Sequence, residues 1–206
     1  MRGSHAKTAP KALTDWLALE SPNWQPSYPF PNDIRQPVVT VLLTAQRGLC
    51  VYCGRRLNVE NPGRFYHIEH FRPRSTYRHL AVDLHNIVLS CGPEDDERIP
   101  TETCGNAKED WFDEGNHIEP VYPDCTNRFR FLLTGEITVA LEPDEAARTM
   151  ICVLNLNHRE LKKDRKDILD RIDGESLDLS DFIDSDDGTV QSYAHVVCQH
   201  LGSALP

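Results

Sequence analysis

The sequence predicts an α+β fold: two short strands held by paired cysteine loops, flanked by helices and a small β-hairpin. Three observations predict it. "RFYHIEHF" (64–71) alternates in the manner of a strand, and "NIVLS" (86–90) is a second short apolar run across a loop. "NRFRFLLTGEITVAL" contains two extended runs around the turn "TGE". "PDEAARTMICVLNLN" and "HRELKKDRKDILDRI" place apolar residues at helical spacing.

In chain order, residues 1–36 are rich in proline and aromatics ("SPNWQPSYPFPND") and are expected to form an extended N-terminal arm over a core. The start, "MRGSHAKTAP", resembles an expression-tag leader and lacks the apolar run of a secretory signal. "PVVTVLLTAQRG" (37–48) is expected as a short helix, opened by Pro37, closed by Gly48, with Val38, Val41, Leu42 and Ala45 on one side. The core is expected over 37–120, and 121–206 as a hairpin plus helical extension suited to docking a partner. "CGPEDDERIPTETCG" is expected as a polar loop. "NAKEDWF" is expected to begin a helix with Trp111 and Phe112 on its buried side. The acidic stretch from Asp170 to Asp187 reads as a solubilising loop, and "TVQSYAHVVCQHL" as a final helix.

The chain has 206 residues and a formal net charge of -10, which argues against sequence-independent binding of nucleic acid over the whole surface. Positive charge must be local or supplied by a partner. One stretch qualifies: Arg64, Arg72, Arg74 and Arg78 against Glu69 give a formal +3 between 64 and 79, leaving -13 elsewhere. No apolar run approaches the roughly 18 residues of a membrane span. Without an export signal, the seven cysteines read as thiols or metal ligands in a reducing cytoplasm.

"CVYC" sets Cys50 and Cys53 at the spacing that lets one turn present two thiolates to a tetrahedral ion, with Gly54 free to take a left-handed backbone. Cys91 and Cys104, each followed by glycine, are expected as the second pair of a closed structural Zn²⁺ site. Cys125, Cys152 and Cys198 lack partners at ligand spacing and are expected as buried hydrophobes.

Between and after these cysteines run "HIEH", "DLHNIVLSC" and "CGNAKED". This order of Glu-His, then Asn, then Asn-x-Lys inside a cysteine frame resembles the HNH endonucleases. The resemblance implies a ββα-metal core with Glu69 and His70 on the first strand, Asn86 opening the second, and Asn106 beginning the helix. Phosphodiester hydrolysis needs a base near neutral pKa and a cation to neutralise developing charge. His70 is accordingly the expected general base, with Glu69 and Asn106 as hard ligands for Mg²⁺ or Mn²⁺. The resemblance further implies that Asn86 fixes the loop and orients the base, and Arg72 and Arg74 are expected to grip phosphates. In a regular strand His67 shares the face of Glu69 and His70 takes the other, so a bulge or turn is expected there. His67, His85 and His117 are expected in supporting roles, that of His67 being undecided.

"CVYCGRRL", "HIEHFRPRS", "HNIVLSC", "CGNAKEDWF", "PDCTNRFRFLLTGEI" and "AARTMICVLNLNHRELKKDR" follow the order of a narrower group. Over about Gly48 to Arg165 the chain is similar to the PtuB-like HNH subunits of Septu-type anti-phage systems. The resemblance implies an ATPase partner (PtuA-like), a nucleic-acid substrate with DNA ahead of RNA and, in some systems, a retron reverse transcriptase and its msDNA. Two alternatives stay open: a zinc-binding adaptor regulating the ATPase, and a stand-alone restriction-type HNH enzyme.

Overall fold

A computed structural model describes residues 1–58, 65–93, 102–174, 177–183 and 188–203. Its elements run α1 (Lys11–Leu17), α2 (Asn32–Gln46), β1 (Tyr66–His70), β2 (Ile87–Cys91), α3 (Cys104–Lys108), β3 (Phe129–Phe131), β4 (Ile137–Val139), α4 (Glu145–Val153), α5 (Arg159–Gly174), α6 (Ser180–Ile183) and α7 (Ala194–His200). Arg64 and much of the polar stretch between Cys91 and Cys104 lie outside the described residues.

Both expected strands form and pair antiparallel in regular register, Tyr66 opposite Cys91 and His70 opposite Ile87. The free edge of this two-stranded sheet needs a partner for its backbone. Gln46 supplies it: its amide nitrogen donates to the carbonyls of Leu49 (2.7 Å) and Leu89 (2.9 Å), and its amide oxygen accepts from the Leu89 N–H (2.7 Å). One buried side chain thus joins the end of α2, the first cysteine turn and β2.

Helix α2 begins five residues before the expected start, so Pro37 lies inside it rather than opening it. An interior proline costs about 3 kcal/mol. Ile34, Val38, Leu42 and Ala45 form one buried stripe, and burying each of the larger three returns about 1.5–3 kcal/mol, which outweighs the proline. Arg47 (φ 52) and Gly48 (φ 74) then turn the chain left-handed and stop the helix.

The extended arm is a second correction. It contains α1, and its first residues are buried in the fold. The Arg2 N–H donates to Val51 O (3.1 Å) and Tyr52 O (3.0 Å), its guanidinium lies 4.0 Å from the Tyr122 ring centroid, and Ser4 bridges to Val121. The tag-like leader is therefore part of the packing around the first cysteine turn. Lys7 adds a clamp: its ammonium donates to the carbonyls of Leu84 (3.0 Å) and Ile87 (2.6 Å) at the entrance to β2.

Helix α3 starts two residues before Asn106 and ends at Lys108, where Glu109 (φ 49) breaks it. Trp111 and Phe112 follow the helix and pack half-buried on the core from a loop. The hairpin forms as expected, with Phe129 opposite Val139. Buried Arg165 of α5 donates to Gly135 O (2.6 Å) and Leu156 O (2.7 Å), tying the hairpin turn to the α4–α5 connection. The acidic stretch is not a single loop: α5 continues to Gly174 and α6 follows, while 175–176 and 184–187 lie outside the described residues. The final helix begins only after left-handed Tyr193 (φ 62). Cys125 and Cys198 are buried as expected; Cys152, on the outer side of α4, is exposed. No helix among the described residues is long and apolar enough to cross a membrane.

Candidate metal centre and catalytic cavity

The four cysteines converge. The sulfurs of Cys50, Cys53, Cys91 and Cys104 all lie within 4.8 Å of one another. A Zn–S bond of about 2.3 Å places tetrahedral sulfurs about 3.8 Å apart, and Cys53 and Cys91 are separated by 3.7 Å. The backbone is arranged for thiolates: the Cys91 N–H donates to Cys50 Sγ (3.3 Å) and the Arg55 N–H to Cys53 Sγ (3.5 Å). Gly54 takes φ 79, the left-handed turn that presents the first pair, and the His195 ring packs where a side chain would stand. Burial alone would raise the Cys50 thiol pKa, but hydrogen bonds from the Cys104, Cys53 and Cys91 thiols draw it well below its ordinary value. The contact with Cys50 pushes Cys104 well above its ordinary value and, against the lowering bond with Cys104, does the same to Cys91. The cluster by itself thus favours one thiolate shared among thiols. This group can hold a metal ion with no protein ligand position left open.

A second feature lies at the end of β1, a cavity of about 430 Å³ lined by His67, Glu69, His70, Arg74, Asn106 and Tyr28 among others. No bulge is present, because the register stays regular through His70. Side chains of a strand alternate between faces, so a cavity touching both Glu69 and His70 wraps around the strand end. The His70 Nε2 lies 2.9 Å from Ala81 O. A carbonyl only accepts, so Nε2 carries the proton and, in the neutral ring, Nδ1 carries the lone pair. Burial lowers the pKa of His70 below 6.5, favouring that neutral ring.

The carboxylate of Glu69 is buried and held on one side. Its Oε1 accepts from Lys108 Nζ (2.9 Å) and from the Tyr52 hydroxyl (3.2 Å), while Oε2 stands 3.7 Å from His67 Nε2. Burial would raise its pKa; His67 and Lys108 more than offset that and hold it below 4.5. Asn106 donates through Nδ2 to Pro93 O (3.1 Å), and its buried Oδ1 has no hydrogen-bond partner. An orphaned buried amide oxygen on a residue that lines the same cavity as a carboxylate fits a hard divalent cation.

The other expected residues are placed as follows. Asn86 does not line the cavity: it accepts from the Arg72 N–H (2.8 Å) and donates to Arg72 O (3.0 Å) and Leu80 O (3.2 Å), closing the loop between the strands. The two arginines separate. Arg74 lines the cavity with its guanidinium 5.0 Å from the Tyr28 ring centroid, whereas Arg72 is ion-paired with Glu119 at 2.6 Å. His85 is exposed, and His117 packs tilted against Phe112 with ring centroids 4.8 Å apart; neither lines the cavity.

Three residues without an expected role take part. Lys108 is buried and uses its ammonium on Glu69, His70 O (3.2 Å) and Glu109 O (3.1 Å), locking the end of β1 to the end of α3. Tyr52, inside the first cysteine turn, reaches the same carboxylate. Tyr28 brings the N-terminal arm to the site, edge-on to His70 at 4.7 Å. Gly105 explains the "CGN" spelling: a Cβ there would stand 2.8 Å from Glu69 Oε2 and 3.0 Å from His67 Nε2.

No protein-family model matches the chain. It is 30% identical over 138 residues to the protein named "Retron Vc95 putative HNH endonuclease" of Vibrio cholerae serotype O1 biovar El Tor, covering 64% of this chain and 62% of that protein. It is 40% identical over 50 residues to Septu protein PtuB of Bacillus thuringiensis, covering 24% of this chain and 19% of that protein. The chain thus spans about three fifths of the first relative and one fifth of the second. Motif order and the first relative together liken the chain to HNH proteins. The resemblance to retron and Septu proteins read from the motifs is supported by both matches.

Proposed function

We propose that the chain is a metal-dependent HNH endonuclease with a ββα-metal core, hydrolysing nucleic-acid phosphodiester bonds as the effector of an anti-phage complex with an ATPase. The observation that carries this reading is the convergence of Glu69, His70 and Asn106 on one cavity, with Asn106 Oδ1 unpaired. Glu69 Oε2 and Asn106 Oδ1 would hold Mg²⁺ or Mn²⁺, and the bound cation supplies positive charge to the phosphate and the leaving oxygen. His70 Nδ1, left as the acceptor by the Nε2 bond to Ala81 O, takes the proton from the attacking water. Asn86 keeps the loop that carries Ala81 in place. Arg74, exposed at the rim, binds a neighbouring phosphate; Arg72, paired with Glu119, reaches one only by exchanging that partner. Zn²⁺ held by Cys50, Cys53, Cys91 and Cys104 would fix the cysteine turns that position Tyr52 and β2.

The nuclease core corresponds to 37–120, with the arm of 1–36 closing its cavity. Partner docking through 121–206 is supported by the hairpin region, where Leu133 and Leu141 are exposed. A chain of net charge -10 whose cavity carries one exposed arginine, Arg74, beside Glu109 and Asp110 suits a nuclease whose substrate is delivered by a larger partner. A retron reverse transcriptase with its msDNA is a second partner to examine, since one relative is named from a retron.

The test is cleavage of plasmid DNA and of RNA by the chain with its ATPase, in Mg²⁺ or Mn²⁺ and in EDTA. Metal-dependent cleavage that His70→Ala reduces about 10²–10⁴-fold, at unchanged melting temperature, is the expected result. Cleavage untouched by His70→Ala removes the assignment of the base, and no cleavage of either nucleic acid favours the adaptor.

A further inference from the structure

We infer that His67 Nε2 is a third protein ligand of the cavity's divalent metal, beside Glu69 Oε2 and Asn106 Oδ1, and that it biases the site toward ions accepting imidazole over Mg²⁺. This rests on the reading above for the presence of a catalytic metal. It adds a ligand that a carboxylate and an amide alone do not supply.

His67 and Glu69 are two residues apart on one face of β1, and both line the cavity. The His67 Nδ1 lies 3.1 Å from Gly92 O, which only accepts, so Nδ1 holds a proton in every state that keeps this bond. The ring therefore offers Nε2 to the cavity, the arrangement in which a backbone carbonyl on one ring nitrogen orients the other toward a metal. The 3.7 Å between His67 Nε2 and Glu69 Oε2 is too long for a hydrogen bond. Two atoms bound to one small divalent ion at about 2.1 Å stand about 3.0–3.4 Å apart, within reach of a small side-chain rotation. Gly105 leaves the space beside both atoms clear, since a side chain there would press on each. The carboxylate is already turned for the task, because Lys108 and Tyr52 occupy Oε1 and leave Oε2 facing His67 Nε2. On binding, the metal takes the place of any Nε2 proton, which leaves to solvent.

Imidazole is a better ligand for Ni²⁺ and Co²⁺ than for Mg²⁺, which prefers oxygen. The loss of His67 should therefore weaken these ions unequally. The experiment uses the full chain with Zn²⁺ loaded in the cysteine site. Pulsed electron paramagnetic resonance on added Mn²⁺ reads nitrogen ligation, and titration calorimetry reads Ni²⁺ and Mg²⁺ affinity. The inference expects an imidazole-nitrogen modulation in the wild type and in His70→Ala that is absent in His67→Ala. It also expects Ni²⁺ affinity to fall about 10-fold or more in that variant, with Mg²⁺ affinity falling less than about 3-fold. If His67→Ala does not melt cooperatively, His67→Gln takes its place. A wild-type spectrum without that modulation, a modulation that survives the loss of His67, or equal losses for both ions would overturn it and leave His67 as an ion-pair partner of Glu69. These readouts do not depend on turnover. Nitrogen-bound Mn²⁺ without cleavage would remove the nuclease reading alone, and cleavage without nitrogen ligation would remove this inference alone.

Discussion

The cysteine cluster and the carboxylate–histidine cavity are neighbours joined by Tyr52, yet they are built by opposite rules. In the cluster, four identical donors lie within 4.8 Å of one another, and each can serve an ion there. In the cavity the donors differ, and each has one atom hydrogen-bonded to the protein and one that is not: Glu69 Oε1 is held while Oε2 faces only His67 Nε2 at 3.7 Å, Asn106 Nδ2 is held and Oδ1 unpaired, His70 Nε2 is held and Nδ1 available. A site that spends every ligand holds structure; a site that fixes each ligand by its second atom keeps positions for water and substrate.

The largest effect that could break this contrast is on the closed site. Cys53→Ser removes one of four ligands, and metal binding at such sites is folding free energy. The loss should exceed about 5 kcal/mol, comparable with the whole stability of a domain, so the variant should bind no structural metal and lose its cooperative melting transition. A folded variant with wild-type metal content would show that the cluster is incidental.

Lys108→Met sharpens the contrast from the other side. Its ammonium is the main partner of a buried carboxylate, and stranding a buried charge costs about 3–5 kcal/mol. Denaturant unfolding should show that loss while the cysteine site keeps its metal. A change below about 1 kcal/mol would mean that Glu69 is solvated in solution and not held as described.

The smallest effect falls on a carboxylate outside both regions. Asp144 caps α4, accepting from the Ala147 N–H at 2.9 Å and from Arg128 Nε at 2.8 Å. The hydrogen bond from Arg128 is the first cause that holds its pKa below 3.8. Because the folded value is depressed, its contribution is complete above pH 3.8 and is lost as pH falls through the lower folded value. Asp144→Ala should cost about 1 kcal/mol at pH 7, or about 2–4 °C in melting temperature. Melting curves of the two proteins should converge as pH drops below 3.8.

How much of this was legible in the sequence follows from the kind of signal each residue leaves. The strands, the hairpin and the two cysteine pairs were readable because period-two alternation and Cys-Gly spacing are local. The start of α2 was not, since Pro37 is a start signal by rule and only the buried stripe from Ile34 overrides it. The packing of Met1 and Arg2 left no periodicity to find. Lys108 and Tyr52 were hidden for a different reason: a lysine on a short helix reads as solvated, and a tyrosine between two cysteines as filler. Only the tertiary approach of α3 and the first cysteine turn to Glu69 gives them a role. The Asn-x-Lys spelling was the one available hint, as it puts Lys108 on the short helix that begins the amide's own turn.

The most direct test treats both regions in one sample. The purified chain with the proposed ATPase is passed through EDTA, its metal content is measured, and cleavage is assayed before and after adding Mn²⁺ or Mg²⁺. The account predicts one Zn²⁺ per chain retained through chelation, cleavage abolished by EDTA, and cleavage restored by the added ion without new zinc. Cleavage that persists in EDTA, or zinc and cleavage that leave together and return only with zinc, would contradict it.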